Sequence, residues 1–194
     1  MPDAVTGQRA SGPARLLPYA LEVAAVLALF AVAGAGCGWL WFHVWNQPTG
    51  IVREHVWYYD EESLRDVFDS TAWYVLFAAA GGAVVGGLAT MFGRRAPILT
   101  LVAVLAGSAL AAWLMLRTGL ALSPEDPQVL AKTAADGTEL RGRLSLEGGN
   151  SPYLAWPLGS LTALMVLNFL LSSGDRIKKR DAADPRWLSR NQPG

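Results

Sequence analysis

The side chains in this chain that are capable of metal or acid–base chemistry are few and lie close together in the sequence. His43 and His55 flank a polar segment that also contains Glu54 and the acidic run 60–62. Imidazole and carboxylate groups bind metal ions or exchange protons, so these residues are the candidates for an enzyme site. Their spacing matches no zinc or metalloprotease motif, and His43 lies in an aromatic segment typical of a membrane boundary. We therefore predict a solvated acidic surface with structural histidines, and no catalytic residue, metal or cofactor.

Two polar residues interrupt otherwise apolar stretches. Glu22 lies near the start of the first stretch and Asn168 lies in the second half of the last one. Intramembrane polar residues are candidates for function, and similar depth would bring this pair within reach of each other. Glu22 is also close enough to the boundary to extend toward water. A small transporter or channel lined by these two residues is the alternative function, although no row of acids crosses the membrane.

The sole cysteine, Cys37, excludes an internal disulfide bond. It follows a run of Ala and Gly that loosely resembles a lipoprotein processing site. Gly34 occupies the position where such a site needs a bulky aliphatic residue, and the apolar run continues past the cysteine. A small cysteine at a helix contact is the preferred interpretation, and acylation remains an alternative.

Four apolar stretches are each long enough to cross a bilayer. Hydrophobic residues make up 52% of the 194 residues and charged ones 16%, whereas a soluble domain carries about 25% charged residues. The stretches cover residues 16–44, 71–92, 98–116 and 153–171. They lack the alternation of barrel strands, so we predict four transmembrane helices in a membrane domain over 16–173. The net charge of zero gives no basic field for nucleic acid, and the lipid bilayer is the predicted environment.

The charges between the stretches predict the orientation. The turn 93–97 has two arginines and no acid, and the tail 174–194 is basic, so both should face the cytoplasm, as should the disordered tail 1–15. The loop 46–70 holds two arginines against six acids, and it should face outward together with the loop 118–152. Tryptophans cluster at the span ends assigned to the outside, namely Trp39, Trp41, Trp45, Trp73, Trp113 and Trp156. The expected protein is a multi-pass plasma-membrane protein with both termini inside. The basic stretch 176–180 fixes this topology or binds anionic lipid.

The two outward loops predict a small α/β cap. Residues 51–59 are rich in β-branched and aromatic side chains, and residues 138–147 alternate between apolar and polar, so each should form a strand and the two should pair. The segment 60–70 predicts a short amphipathic helix lying on the membrane, and Ser123 followed by Pro124 predicts the start of a helix. The aromatic and charged residues of the cap are the predicted partner contact: Trp45, Arg53, Trp57, Tyr58, Tyr59, Arg141 and Arg143.

Small residues predict where the helices meet. Gly34 and Gly38 are four residues apart, as are Gly82 and Gly86, and 103, 107 and 111 repeat the spacing with Ala or Gly. Such spacing lets helix backbones approach closely in lipid. The preferred interpretation is a monomeric four-helix bundle, and a homo-oligomer through the four glycines is the alternative.

Several sequence blocks resemble a family of small four-span integral membrane proteins of unknown function from actinobacteria. The blocks are WLWFHVW at 39–45, PTG at 48–50, HVWY at 55–58, AADGT at 134–138 and AWPLG at 155–159. The resemblance covers roughly residues 39–160 and implies the four-span fold and the membrane location, but no activity. Together these features predict a non-enzymatic accessory or scaffold component of the cell envelope that docks a membrane or envelope protein through its outer cap. A transporter or channel is the second hypothesis, and a membrane enzyme using His43, His55 and Glu54 is the third.

Overall fold

The computed structural model describes residues 17–59, 63–92, 97–146 and 149–183. Four long helices dominate it: α1 (Leu17–Val44), α2 (Ser63–Phe92), α3 (Pro97–Leu122) and α5 (Ala155–Ala183). Each is long and apolar enough to cross a membrane. The predicted number of helices able to span a membrane is confirmed. The predicted tail 1–15 and residues 184–194 lie outside the described residues.

The closest helix contacts join parallel helices that are not neighbours in sequence. Helix α1 packs along α3, where a Cβ added at Gly34 would lie 2.5 Å from the Ala111 carbonyl oxygen. Gly38 likewise lies against the backbone of Met115, and Gly107 lies against the ring of Phe30. Only glycine allows the two helices to come this close. The glycines whose spacing was noted in the sequence therefore form the contact between α1 and α3 of one chain, which we call the α1/α3 seam.

Helices α2 and α5 form a second seam of the same kind. A Cβ at Gly82 would lie 2.5 Å from the Trp156 carbonyl oxygen, and one at Gly86 would lie 2.6 Å from that of Ser160. All four glycines proposed for an interface between copies therefore contact helices of their own chain. A homo-oligomer through them stays a prediction that these contacts do not require.

An aromatic core fills one end of the bundle, which we call the cap end. The rings of Trp41 and Tyr74 meet edge to face at 5.1 Å, and those of Phe30 and Trp156 do so at 6.2 Å. The Trp156 indole donates to the sulfur of Met115 at 3.3 Å. Of the six tryptophans predicted to form a boundary belt, Trp39, Trp73 and Trp113 are exposed, whereas Trp41, Trp45 and Trp156 are buried in this core. The three buried rings pack between helices and do not form part of an exposed aromatic belt.

The first inter-helix loop folds into a hairpin, not into the single strand predicted for 51–59. Strand β1 (Thr49–Arg53) pairs antiparallel with β2 (Val56–Tyr59), and Arg53 lies opposite Val56. The two-residue turn has φ of 51° at Glu54 and 62° at His55. Two positive φ values match the twist of a tight hairpin, although such values are uncommon for residues other than glycine. The sequence prediction failed here because no Asn-Gly or Asp-Gly pair marks the turn.

Strand β3 (Glu139–Arg141) completes a sheet of order β2-β1-β3 and is much shorter than the predicted strand 138–147. The predicted pairing between the two loops is confirmed, since Ile51 lies opposite Glu139 and Thr49 opposite Arg141. The turn before β3 contains Gly137, whose φ is 86° and whose amide donates to the Val52 carbonyl oxygen at 2.8 Å. Beyond Arg141 the chain leaves the sheet to pack on the helix ends.

The short helix α4 (Pro127–Ala131) begins three residues later than the Ser123 signature predicted. Asp126 is its N-cap and accepts from the Gln128 amide at 2.9 Å, with Pro127 in the first turn. Ser123 instead follows the end of α3, and its hydroxyl accepts from the Leu144 amide at 2.8 Å. The sequence contains two pairs of a polar residue followed by proline, Ser123-Pro124 and Asp126-Pro127. The helix begins at the second pair.

Three helices extend beyond their predicted bounds. Helix α2 is continuous from Ser63, so a separate amphipathic helix lying on the membrane over 60–70 is not formed by its described part. Helix α5 follows a 3₁₀ turn (Ser151–Leu154) and continues to Ala183, into the segment predicted as a tail. Helix α3 runs to Leu122, six residues past the predicted span.

Candidate functional site

One face of the sheet is open to solvent, and we call it the sheet face. Side chains alternate along β1, so Val52 points toward the protein while its neighbours point away. Cross-strand pairing sets the exposed residues side by side. The sheet face consists of Ile51, Arg53, Val56, Tyr58, Glu139 and Arg141. Exposed fractions of 42% for Ile51, 41% for Val56 and 53% for Tyr58 leave a continuous apolar and aromatic centre uncovered.

Charged side chains border this centre. Arg53 lies at the hairpin end of β1, and Arg141 lies at the opposite end across from Thr49. Arg143 is exposed two residues beyond the end of β3. The sheet face as defined holds two arginines, Arg53 and Arg141, and one acid, Glu139, so it is basic. The acids that give the first loop its negative charge lie mainly at sequence positions 60–69.

The opposite face of the sheet covers a small core of its own. Val52 and Trp57 pack there with Ala131 of α4. The Trp57 indole donates to the Leu140 carbonyl oxygen at 3.3 Å, and the Gln128 amide group donates to the Trp57 carbonyl oxygen at 3.0 Å. This second bond occupies part of the free edge of β2. The sheet is therefore backed by packing and polar contacts on the side that faces the protein.

Hydrogen bonds between distant residues fasten this cap to the bundle. The Trp41 indole donates to the Ser70 carbonyl oxygen at 2.8 Å, and the Ser70 hydroxyl donates to the Ser145 carbonyl oxygen. The Thr49 amide donates to the Ser63 hydroxyl at 3.1 Å. Leu144 is buried in the main core beside these bonds. The sheet face is thus held in a fixed position relative to the helices.

The predicted partner residues divide into two groups. Arg53, Tyr58, Tyr59, Arg141 and Arg143 are exposed around the sheet. Trp45 and Trp57 are buried, the first in the bundle core and the second under the sheet, because both rings complete a core. Their side chains cannot meet a partner in this structure, so we withdraw these two from the predicted contact.

Sequence reasoning missed three members of the sheet face, namely Ile51, Val56 and Glu139. Within 51–59 the apolar and polar residues do not alternate regularly, so the exposed side could not be read from the pattern. The hairpin turn determines which side chains are exposed together, because it sets Ile51 opposite Tyr58. Glu139 could have been found, since the alternation after Gly137 already placed it on the polar side.

The histidines occupy separate structural positions. His43 is exposed in the last turn of α1, where its Nδ1 lies 2.9 Å from the Trp39 carbonyl oxygen and its ring lies 4.1 Å from that of Trp39. This contact is local to α1, because His43 follows Trp39 by about one helical turn. His55 is in the hairpin turn. Over the described ranges, no three His, Cys, Asp or Glu residues are grouped to hold a metal, and the acidic run 60–62 falls outside those ranges.

Glu22 and Asn168 are not brought together. Glu22 lies on α1 beside α3, next to a narrow cleft with about 170 Å³ of empty volume and no room for a water molecule. Asn168 is exposed on α5, and its amide group donates to the Leu164 carbonyl oxygen of its own helix at 2.9 Å. The pathway that the transporter hypothesis drew between these residues does not form in this structure.

Cys37 occupies a contact between helices. Its thiol lies 3.8 Å from the Phe77 carbonyl oxygen of α2 and is half-buried. This agrees with the preferred interpretation of a small residue at a helix contact, and acylation of the thiol is not tested by it.

Comparisons of the chain with protein-family models, with curated proteins and with solved structures find no match. The resemblance to the actinobacterial four-span family therefore stays a prediction, and the function rests on the geometry of the sheet face alone.

Proposed function

We propose that this chain is a non-enzymatic accessory or scaffold protein of the plasma membrane, and that its sheet face docks an acidic segment of a membrane or envelope protein. The observation that carries the proposal is the exposed apolar and aromatic centre bordered by Arg53 and Arg141. Protein interfaces are enriched in Tyr and Arg around a buried apolar centre, which is the composition found here.

The charges of the sheet face determine the chemistry of its partner. A guanidinium group forms paired hydrogen bonds with a carboxylate, and these charge-assisted bonds are stronger than neutral ones. A partner segment carrying Asp or Glu beside an apolar residue complements Arg53 and Arg141 on either side of Tyr58. Because the cap is fastened to the bundle, docking here costs little ordering of the sheet.

The orientation is part of the proposal. Positive charge in the turn 93–97 and in the tail 174–194 supports a cytoplasmic location for both, and so places the cap outside. A partner would then be a periplasmic or extracellular segment. The resemblance to actinobacterial four-span proteins is consistent with this placement.

Site-specific photocrosslinking in the native membrane tests the docking directly. A photoreactive phenylalanine analogue replaces Tyr58 on the sheet face, and the same analogue replaces Trp113, which is exposed on α3. We expect position 58 to capture one protein in constant ratio to the chain, with an acidic segment at the crosslinked site. Equal capture of the same protein from both positions would contradict docking through the sheet face.

Charge reversal provides the matched control. Reversing Arg53 and Arg141 to Glu should reduce the captured fraction by about tenfold or more, since each lost pair removes a charge-assisted bond and adds repulsion. Reversing Arg117, whose guanidinium lies 5.4 Å over the Trp113 ring away from the sheet, should leave capture unchanged. Unchanged capture in the double variant would exclude the arginines from the contact.

The orientation has its own test. A reporter fused after Gly194 should be active only in the cytoplasm, and a cysteine introduced at Tyr58 should react with an impermeant reagent added to intact cells. A cytoplasmic signal from the cap would place the sheet face inside, and would redirect the search to cytoplasmic partners.

A further inference from the structure

Strand β3 pairs with β1 along one edge and turns its other edge outward. The Thr138 carbonyl oxygen accepts from the Val52 amide at 3.0 Å, and the Gly142 amide donates to the residue before β1 at 2.6 Å. These two residues on either side of β3 therefore direct their backbone groups toward β1. Backbone groups alternate between the two edges of a strand, so those of Glu139 and Arg141 point away from β1. They form an edge that we call the β3 edge.

No described residue covers the β3 edge. Of the described helices and strands, only β1 packs extensively along β3. Glu139 and Arg141 are exposed, and no backbone hydrogen bond within the described ranges reaches their outward amide and carbonyl groups. An exposed strand edge with unpaired backbone groups is a template on which another strand can pair.

The undescribed segments at the cap end begin and end away from this edge. Residues 60–62 connect β2 with Ser63, whose hydroxyl accepts from the Thr49 amide on the β2 side of β1. Residues 147–148 follow Leu146, which packs against the main core. The other undescribed ranges adjoin the helix ends opposite the cap. Neither short connection borders the β3 edge.

The two charges at the β3 edge complement each other when the strand meets a copy of itself. Antiparallel pairing about a two-fold axis beside Leu140 sets Glu139 of each copy opposite Arg141 of the other. Both residues direct their backbone groups outward, so each such pair also exchanges its backbone hydrogen bonds. Moving the axis by one residue sets Glu139 or Arg141 opposite itself, and like charges directly opposite each other destabilise a sheet. One register is therefore favoured over its neighbours.

We propose that the β3 edges of two copies of this chain pair in the membrane and join the two sheets into one. The interface is isologous, because the same residues contribute from both copies. The two-fold axis lies along the membrane normal in this dimer, so both copies cross the bilayer in the same direction. The contact differs from the glycine seams and does not depend on docking through the sheet face. Arg53 takes no part in it, which separates its test from the test of docking.

A cysteine at position 140 tests the register. The two Leu140 residues face each other as a non-hydrogen-bonded pair, with Cα atoms about 4.5 Å apart, a separation that a disulfide can bridge. Leu140→Cys is made in the full chain with Cys37→Ala, and membranes are treated with a mild oxidant before non-reducing electrophoresis. We expect a dimer that is lost on reduction. Tyr58→Cys is the matched control, because Tyr58 is more exposed but lies two strands from the β3 edge, and it should give no dimer.

Equal dimer from positions 58 and 140, or no dimer from position 140, would overturn the proposal. A disulfide from position 140 to a different protein would give the β3 edge to another molecule, and would overturn it as well.

A charge exchange tests the pairing without changing a core residue. Glu139→Arg sets Arg opposite Arg and Arg141→Glu sets Glu opposite Glu, so each should lower the dimer association constant by about tenfold or more. The double variant restores opposite charges and should return the constant to within about threefold of the natural value. Photobleaching steps of labelled protein in dilute liposomes count the subunits.

Arg53→Glu separates this contact from docking, since it should weaken partner capture but leave the dimer unchanged. Single variants that dimerise like the natural chain would overturn the proposal. So would a double variant that stays as monomeric as either single variant.

Discussion

The two ends of the bundle, the cap end and the end opposite it, which we call the far end, satisfy their polar groups in different ways. At the cap end, the side chains of Trp41, Ser70 and Ser123 bond to residues far away in sequence and link separate elements. Toward the far end, the described side chains of Thr90, Asn168 and Ser173 bond to carbonyl oxygens three or four residues earlier in their own helices. The described residues leave one buried oxygen of Glu22 without a donor.

This difference shows how the same residue types serve two purposes. A serine that bonds to its own helix in lipid is satisfied but connects nothing. A serine that bonds across elements positions a loop against the helices, which is what the sheet face requires. We therefore expect changes at the cap end to cost more stability than the same changes at the far end, and the following predictions test that expectation.

The largest effect should come from the seam that connects both ends. Gly34→Leu forces a side chain into the backbone of Ala111 and should destabilise the folded bundle by about 3 kcal/mol or more, because neither backbone can retreat. Gly36→Leu, two residues away, meets open space and should be nearly neutral. Thermal unfolding in detergent, followed by tryptophan fluorescence, measures both. Similar losses for the two variants would mean that the seam is not formed by Gly34.

A leucine-to-alanine substitution at each end, which removes the same three carbon atoms, compares how tightly the two ends are packed. Leu144 at the cap end is 2% exposed, whereas Leu99 beside the far-end cleft is 36% exposed. Leu144→Ala should cost about 2–5 kcal/mol through lost burial and a residual cavity, and Leu99→Ala should cost less than about 1 kcal/mol. Denaturant unfolding in mixed micelles gives the two values. An equal cost would show that both ends are packed alike.

Removing the same hydroxyl at each end compares the hydrogen bonds. Ser70→Ala deletes the donor to the Ser145 carbonyl oxygen and should cost about 1–3 kcal/mol, since a buried acceptor is left unpaired. Ser173→Ala deletes a bond within α5 and should change stability by less than about 0.5 kcal/mol. The same unfolding experiment applies. A neutral Ser70→Ala would mean that the Ser70 bond does not hold the cap to the bundle.

The smallest effect should be a gain at the hairpin turn. Glu54→Asn combined with His55→Gly replaces two residues held at positive φ by the pair that this turn favours, and should stabilise the hairpin by about 1 kcal/mol. Slower hydrogen exchange of the Val56 amide reports the gain. Faster exchange would show that the Glu54 and His55 side chains themselves stabilise the turn.

The sequence by itself determined the number of helices able to span a membrane and the spacing of the glycines in their seams. Both follow from local properties, since apolar length and a four-residue repeat can be read along one chain. The pairing of the two loops and the Asp136–Gly137 turn were also predictable, because alternation and a turn residue mark them.

Only the tertiary structure decided which helices meet and which side chains of the cap remain exposed. Trp45 and Trp57 have the composition of an interface, but packing from distant elements buries them. The hairpin at Glu54 and His55 forms without a favoured turn sequence. Its two strands are stabilised by elements distant in sequence, because β1 pairs with β3 and Gln128 of α4 donates a hydrogen bond to β2. Burial and pairing depend on contacts between residues distant in sequence, and no local pattern carries that information.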